Sequence, residues 1–324
     1  NSNNKVKSMS TKKSDFGVFG LGVMGSSISL NIADKGYELS VFNRAEGGEE
    51  EVVSRFLSAN SHRDNIQGFT DLKKFIASMA EPRKMLIMIK AGPTVDLVLN
   101  NLFPLLSKGD IIIDGGNSHY LNTKRRFELA QSHGIEFIGA GISGGEEGAR
   151  KGPSIMPGGS KETYDSIAPF LNAIAAKDKN NLPCCTYIGP EGSGHFVKMV
   201  HNGIEYAEMQ LLSEIYSIGV ASGKNPEEIA NQLSAWKHQQ VGSYLLDNLV
   251  FDKNMLIAGM RHDLAIDAMM ACSGFWNYYF RKNDGIDGID LRLNNESTNN
   301  NDLIKLNPTD TIASKLKLLL AVNF

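Results

Sequence analysis

The chain has 324 residues, 42% of them hydrophobic and 21% charged, with a formal net charge of -3. That length exceeds the size at which one core keeps growing and predicts two globular domains, while the charge excludes any global attraction to nucleic acid or to an anionic membrane. Of the three cysteines, Cys184 and Cys185 are adjacent and pair only with strain, and Cys272 is distant, which excludes a disulfide framework and indicates a reducing compartment.

Residues 1–14 carry Lys5, Lys7, Lys12 and Lys13 without the apolar run of a signal peptide, and are predicted to be a disordered tail on a cytoplasmic protein without a membrane span. A first domain, 15–190, opens with an apolar strand from Phe16 that runs into Gly20-x-Gly22-x-x-Gly25 and the helical spacing of Ile28, Ile32 and Ala33. This order suits a phosphate-binding turn: Gly20 permits the tight bend, Gly22 lets a pyrophosphate reach the backbone, and Gly25 lets helix and strand pack closely. A second strand, Glu38–Phe42, ends at Asn43-Arg44, where NAD enzymes usually place an acid. An arginine there pairs with a 2′-phosphate, so NADP is the expected cofactor; the bland alternative is a surface arginine.

Helical and strand patterns then alternate. Helices are predicted over 71–79, 95–102 and 122–132, and strands over 85–89, 111–113 and 137–138. Near-continuous apolar strands separated by helices predict an α/β fold, a Rossmann-like doubly wound parallel sheet. Ligands of such sheets lie beyond the carboxyl ends of the strands. Lys90-Ala91-Gly92, Asp114–Ser118 and Gly141–Gly148 fall there, with Lys90, Asn117 and Ser143 as donors to a polyhydroxylated anion, or else as ordinary turn residues. A turn-strand-turn over Arg150–Gly159, a helix over Ala168–Ala175 and a strand over Thr186–Ile188 complete the domain.

An all-helical second domain, 191–324, is predicted to start with a helix from Gly194 to about Ser222. At about 100° per residue, His195, Lys198, His201, Asn202, Glu205 and Tyr206 share one face and Val197, Val200, Ile204, Ala207 and Leu211 another. The first face groups an ammonium, a carboxylate, imidazoles and an amide that together are able to move protons, unless it is merely a solvated face. Gly192 and Gly194 at its start would let a ligand approach the backbone. Asn225-Pro226 reads as the capped start of a further helix. Beyond it lie a helical stretch Leu256–Cys272, an aromatic run Phe275–Phe280 suited to a core, an Asn-rich segment 291–310 and an apolar helix Thr311–Val322. No spacing of His and Cys suits a metal.

Gly20–Gly25, Phe42–Arg44, Ile89–Gly92, Ile112–Ser118, Ile142–Arg150, Gly152–Gly159 and above all Gly194–Tyr206 resemble the corresponding stretches of the 6-phosphogluconate dehydrogenase family. The resemblance covers about residues 16–244, beyond which the family's longer helical domain is not matched, so the second domain is expected to be incomplete or aberrant. It implies NADP-dependent oxidative decarboxylation of 6-phosphogluconate to ribulose 5-phosphate, CO2 and NADPH in the pentose phosphate pathway, by a cytoplasmic homodimer. It also implies roles. Lys198 takes the proton of the 3-hydroxyl and returns one to the keto oxygen, and Glu205 helps protonate carbon 1. Asn117, Ser143, Gly144, Gly145, His201, Asn202 and Tyr206 hold the substrate. Gly20, Gly22, Val23, Met24, Gly25, Asn43, Arg44, Lys90, Ala91 and Asn117 line the cofactor, Met24 against the nicotinamide. Ala45 stands where the family often has Thr, so one phosphate hydrogen bond is expected to be missing. A lysine serves as a base near neutral pH only where desolvation or a neighbouring cation lowers its pKa. Two other readings are another NADP-dependent β-hydroxyacid dehydrogenase and a catalytically impaired NADP-binding homologue that acts as a scaffold or subunit.

Overall fold

The computed structural model describes residues 12–236, without the side chains of 206–213 and 217. It divides into two compact units, one running through Ile204 and one from Glu205. In the first, the strands are β1 (Phe16–Phe19), β2 (Leu39–Phe42), β3 (Ile66–Phe69), β4 (Lys84–Ile87), β5 (Ile111–Asp114), β6 (Glu136–Ser143) and β7 (Ser154–Gly159). They form one sheet in the order β3-β2-β1-β4-β5-β6-β7. Every pairing is parallel except β6 with β7, which is antiparallel.

The apolar runs explain the doubly wound arrangement. Alternation along β5 sends Ile111 and Ile113 to one face and Ile112 to the other, so a strand buried on both faces must be apolar throughout. On the first face Ile28 and Ile32 of α1 (Val23–Asp34) and Ile167, Phe170 and Ile174 of α7 (Lys161–Ile174) cover Val18, Val41 and Ile138. On the second, Phe75 of α3 (Leu72–Ser78), Val95 and Leu99 of α4 (Pro93–Leu102) and Phe127 of α5 (Tyr120–Ser132) cover Met85, Ile87 and Phe137. Asn31, buried in α1, donates to the carbonyls of Ala149 at 3.2 Å and Ile174 at 2.8 Å. It thereby ties α1 to α6 (Gly145–Lys151) and α7.

Several elements differ from the sequence reading. A helix α2 (Val52–Ala59) and strand β3 were not anticipated, because the helix follows a run of glutamates and the strand is a four-residue, half-buried edge containing a glycine. The glycine-rich stretch after Ser143 is helical as α6, and α7 starts seven residues earlier than its apolar half suggested, where Ser160 caps it by accepting from the amide of Thr163. The strand expected over Thr186–Ile188 is not formed. Only the single bridges Ile155 to Cys185 and Gly158 to Gly189 run beside β7. They flank Pro157, which has no N–H to give to a ladder. Lys12, Lys13 and Ser14, assigned to the tail, are anchored: Ser14 Oγ lies 2.7 Å from Ser40 Oγ and its amide donates to Ser78. The rest of the tail, and every expectation beyond Trp236, lie outside the described residues. Cys184 and Cys185 are free thiols, and burial pushes Cys185 up to about 12.

In the second unit, the later part of α8 (Ser193–Ala221) continues to α9 (Pro226–Trp236). Ile229 and Leu233 are buried there against Ile215, Tyr216 and Trp236. The predicted cap is present: Asn225 Oδ1 accepts from the amide of Glu228 at 3.0 Å, and Glu228 accepts from the amide of Asn225 at 2.8 Å, a reciprocal capping box. Among the described residues no helix is long and apolar enough to cross a membrane.

Candidate active site

The nucleotide turn lies between β1 and α1. Gly20 adopts φ +102, and a methyl group on it would meet the carbonyl oxygen of Met88 at 2.5 Å; a methyl on Gly25 would strike the carbonyl of Gly20. Gly22, by contrast, faces open space, and α1 begins just after it without a side-chain cap. The first-turn amides are thus available to an anion. Val23 is 64% exposed beside this opening and Met24 packs partly against the core. Asn43, at the end of β2, accepts from the amide of Leu21 at 3.0 Å and so fixes the turn to the next strand. Arg44 is exposed, and its guanidinium meets Glu49.

From β2 to β6 the parallel strands end side by side, which places Asn43 and Arg44, the Gly20–Gly25 turn, Lys90–Gly92, Asp114–Ser118 and Ser143–Gly145 in that order along one edge. Neighbouring strands are about 4.8 Å apart, so the edge from β2 to β6 spans about 19 Å, the scale of an extended dinucleotide with a small substrate. Lys90 and Asn117 are exposed there, and Ala91 is half-buried. The two middle loops are held from beneath by Arg126, a fully buried side chain on α5. It donates to Asp96 on α4 (2.9 and 3.0 Å), to the Gly92 carbonyl (2.8 Å) and to Ser118 Oγ (3.1 Å). Ser118 in turn donates to Asp114 at 2.7 Å, and Asp114 also accepts from the amide of Gly116 at 3.1 Å. Sequence pattern gave Arg126 no distinction from a surface charge on a helix. Its only trace was two acids, Asp96 and Asp114, next to glycine-rich strand ends.

The first turns of α8 settle onto β6 and β7 through glycine. A methyl on Gly194 would collide with the carbonyls of Met156 and Gly139, one on Gly192 with the carbonyl of Tyr120, and one on Gly158 with the amide of Gly194 at 2.5 Å. The glycines at the start of α8 therefore admit protein backbone, not a ligand as the sequence suggested. Gly194→Ala is expected to cost about 3 kcal/mol or more, since backbone cannot yield as a side chain does; a melting curve close to that of the native chain would refute it.

The seam decides where the polar face points. The Lys198 stem rests on Gly141 of β6, where a methyl would meet its Cβ and Cγ, and the residue is only 8% exposed. His201 Nε2 stands 3.4 Å from Ser143 Oγ, and its Nδ1 is 3.2 Å from Asn202 Oδ1. Gly144 and Gly145, with φ +134 and +59, turn the chain directly after Ser143. His195, placed on the same face by periodicity, lies beneath the site instead: it is 1% exposed, and its Nδ1 is 2.7 Å from Thr123 Oγ1. Burial pushes its pKa below the ordinary histidine value, with Asp114 opposing. Val200 and Ile204, expected to pack, are 44% and 59% exposed. Glu205 is half-buried further along the helix, and the side chain of Tyr206 lies outside the described residues.

Comparisons with known proteins bear on this geometry. The model of the NAD binding domain of 6-phosphogluconate dehydrogenase matches residues 15–189, and that of the 6-phosphogluconate dehydrogenase C-terminal domain matches 194–251. The decarboxylating 6-phosphogluconate dehydrogenase of Salmonella typhimurium is 48% identical over 237 residues, 72% of this chain and 49% of that protein. The chain thus spans about half the length of the curated relatives it matches. A Plasmodium falciparum 6-phosphogluconate dehydrogenase, solved apo and with its cofactor NADP+ and its substrate 6-phosphogluconate, superposes with a TM-score of 0.69 at 33% identity, over 94% of this chain and 69% of that one. A 3-hydroxyisobutyrate dehydrogenase from Salmonella typhimurium shares the fold at 15% identity, with a TM-score of 0.60, over 79% of this chain and 94% of that one. Because the first of these family models alone spans more than half of the sequence, from the nucleotide turn to the strands on which Lys198 is seated, the chain belongs to the 6-phosphogluconate dehydrogenase family.

Proposed function

We propose that the chain carries the nucleotide-binding and proton-transfer parts of an NADP-dependent 6-phosphogluconate dehydrogenase, forming ribulose 5-phosphate, CO2 and NADPH in the pentose phosphate pathway. The observation that carries this reading is the seating of Lys198 on Gly141, beside Ser143 and His201, at the end of a sheet edge that begins with Asn43 and Arg44. The donors fit the cofactor. Gly22 leaves room for a pyrophosphate at the start of α1, and the amide of Asn43 and the guanidinium of Arg44 suit a 2′-phosphate. When bound, the nicotinamide supplies the hydride acceptor.

The chain's own residues supply the proton chemistry. The Lys198 amine takes the proton of the 3-hydroxyl as that carbon is oxidised, and the resulting keto group is the sink for the electron pair left when CO2 departs. Lys198 then returns its proton to the keto oxygen, and Glu205 protonates carbon 1 of the enediol. Asn117, Ser143, Gly144, Gly145, His201, Asn202 and Tyr206 orient the sugar acid, while Val23, Met24, Lys90 and Ala91 border the cofactor. A homodimer and a cytoplasmic location belong to the same reading, supported by family membership. The test is to incubate the purified chain with NADP and 6-phosphogluconate, or with small 3-hydroxy acids. Equal amounts of NADPH and CO2 from 6-phosphogluconate, formed at least about a hundred times faster than any NADPH from the small acids, are expected. Nucleotide binding without turnover would overturn the reading in favour of an inactive homologue.

A further inference from the structure

The cofactor reading assigns Asn43 and Arg44 to a 2′-phosphate, yet both already hold an anion supplied by the chain itself. The Arg44 guanidinium grips the carboxylate of Glu49 with two donors, Nε to Oε2 at 3.2 Å and Nη2 to Oε1 at 3.1 Å. Asn43 Nδ2 donates to the same Oε2 at 2.8 Å and to the Arg44 carbonyl at 3.0 Å, while its Oδ1 is taken by the Leu21 amide. Both amide hydrogens and the guanidinium fork are therefore in use. The loop that returns Glu49 to this place is built for the return. Gly47 and Gly48 both have positive φ, +66 and +87, and a side chain on Gly47 would start 4.0 Å from the guanidinium. The hydrogen bonds from Arg44 and Asn43 also hold the Glu49 carboxyl below the usual carboxylate range, so it remains charged at neutral pH.

A carboxylate and a phosphate compete for the same planar fork. A 2′-phosphate that takes the Nε and Nη2 fork of Arg44 has to displace Glu49 from it. A free 2′-hydroxyl need not, since it donates to the carboxylate just as ribose hydroxyls donate to the acid that follows the second strand of NAD enzymes. We propose that Glu49 sets the cofactor selectivity of this chain: its carboxylate is a built-in competitor for the 2′-phosphate position and narrows the preference for NADP over NAD. The inference rests on the cofactor reading above and adds to it a residue that acts on the choice of nucleotide.

Isothermal titration of the full 324-residue chain with NADP and with NAD measures the ratio of affinities and requires no turnover. Glu49→Gln and Glu49→Ala are expected to raise the NADP to NAD ratio about tenfold, equivalent to about 1.4 kcal/mol. Glu50→Gln removes the same charge from the same exposed loop without touching Arg44 and is expected to leave the ratio nearly unchanged. An equal shift in Glu50→Gln would overturn the proposal, because it would reduce the effect to general charge. So would no shift in either Glu49 variant. Arg44→Ala separates the two levels. If it weakens NADP while the Glu49 variants do nothing, the cofactor reading survives and the selectivity role falls; if it leaves NADP binding intact, both fall.

Discussion

Lys198→Met is expected to lower turnover about a thousandfold or more while leaving NADP affinity unchanged, since a positioned proton-transfer group contributes about 10²–10⁴ to rate. Methionine keeps most of the stem that packs on Gly141 and removes only the ammonium, so the seat of α8 is preserved. The nucleotide should bind as before, because Gly22, Asn43 and Arg44 lie at the β1 and β2 end of the sheet edge, on the far side of β4 and β5 from Lys198. Steady-state rates and nucleotide titration on one preparation check both halves. A variant that retains its rate would remove Lys198 from the chemistry, whereas one that loses both properties and its melting transition would show Lys198 to be structural.

The other large effect is expected directly beneath the loops at the ends of β4 and β5. Arg126→Met should destabilise the first unit by about 3 kcal/mol, because it removes the guanidinium 3.7 Å from Asp114, a carboxylate as buried as Arg126 itself, and leaves that charge uncompensated. For a unit of this size that is a fall in melting temperature of roughly 10 °C. Asp96, Ser118 and the Gly92 carbonyl all lose donors at once, although Arg125 still reaches Asp96 at 2.7 Å. The pH dependence follows from Asp96, whose carboxyl the hydrogen bond from Arg126 holds below the usual carboxylate range. A group with a depressed folded pKa stabilises above its unfolded pKa of about 4, and the contribution disappears as pH falls through the folded value. The stability gap between the native chain and the variant should therefore be full at neutral pH and shrink below about pH 4. A gap that does not change with pH would mean that packing, not the ion pair, is what Arg126 provides.

These two residues mark what the sequence makes legible. Lys198 lies in a local pattern, a helix with polar side chains on one face, and periodicity is enough to put it on that face with His201, while the role proposed for it came from the family resemblance. Arg126 acts through Asp96, 30 residues away in sequence, and Ser118, eight away, and no periodicity reports such a meeting. The same division runs through the fold. β4, β5 and the Gly20 turn are readable because burial on both faces demands apolar runs and close packing demands glycine. β3 is not, because an edge strand is only half-buried. His195 shows the limit of the helical wheel: it shares an angle with Lys198, but it sits one turn nearer the seam, where the surroundings are Thr123 and Gly139 and not a cleft. Glu49 was hidden among acids that look like a solvated run, and only the positive φ of Gly47 and Gly48 brings it back to Arg44.

At its start α8 meets β6 and β7 main chain to main chain, Gly194 lying against the carbonyls of Gly139 and Met156 and its amide against Gly158. Where side chains meet, a helix can rock as rotamers exchange; where carbonyls and amides meet, there is nothing to exchange. The seam then works as the fixed end of a lever. Lys198 lies four residues from Gly194, about 6 Å along the axis, so a rocking of roughly 10° about the seam would carry its backbone about 1 Å from the strand, the scale at which misplacement costs about 10² in rate. Small residues beneath the helix thus set a mechanical tolerance on the amine several bonds away.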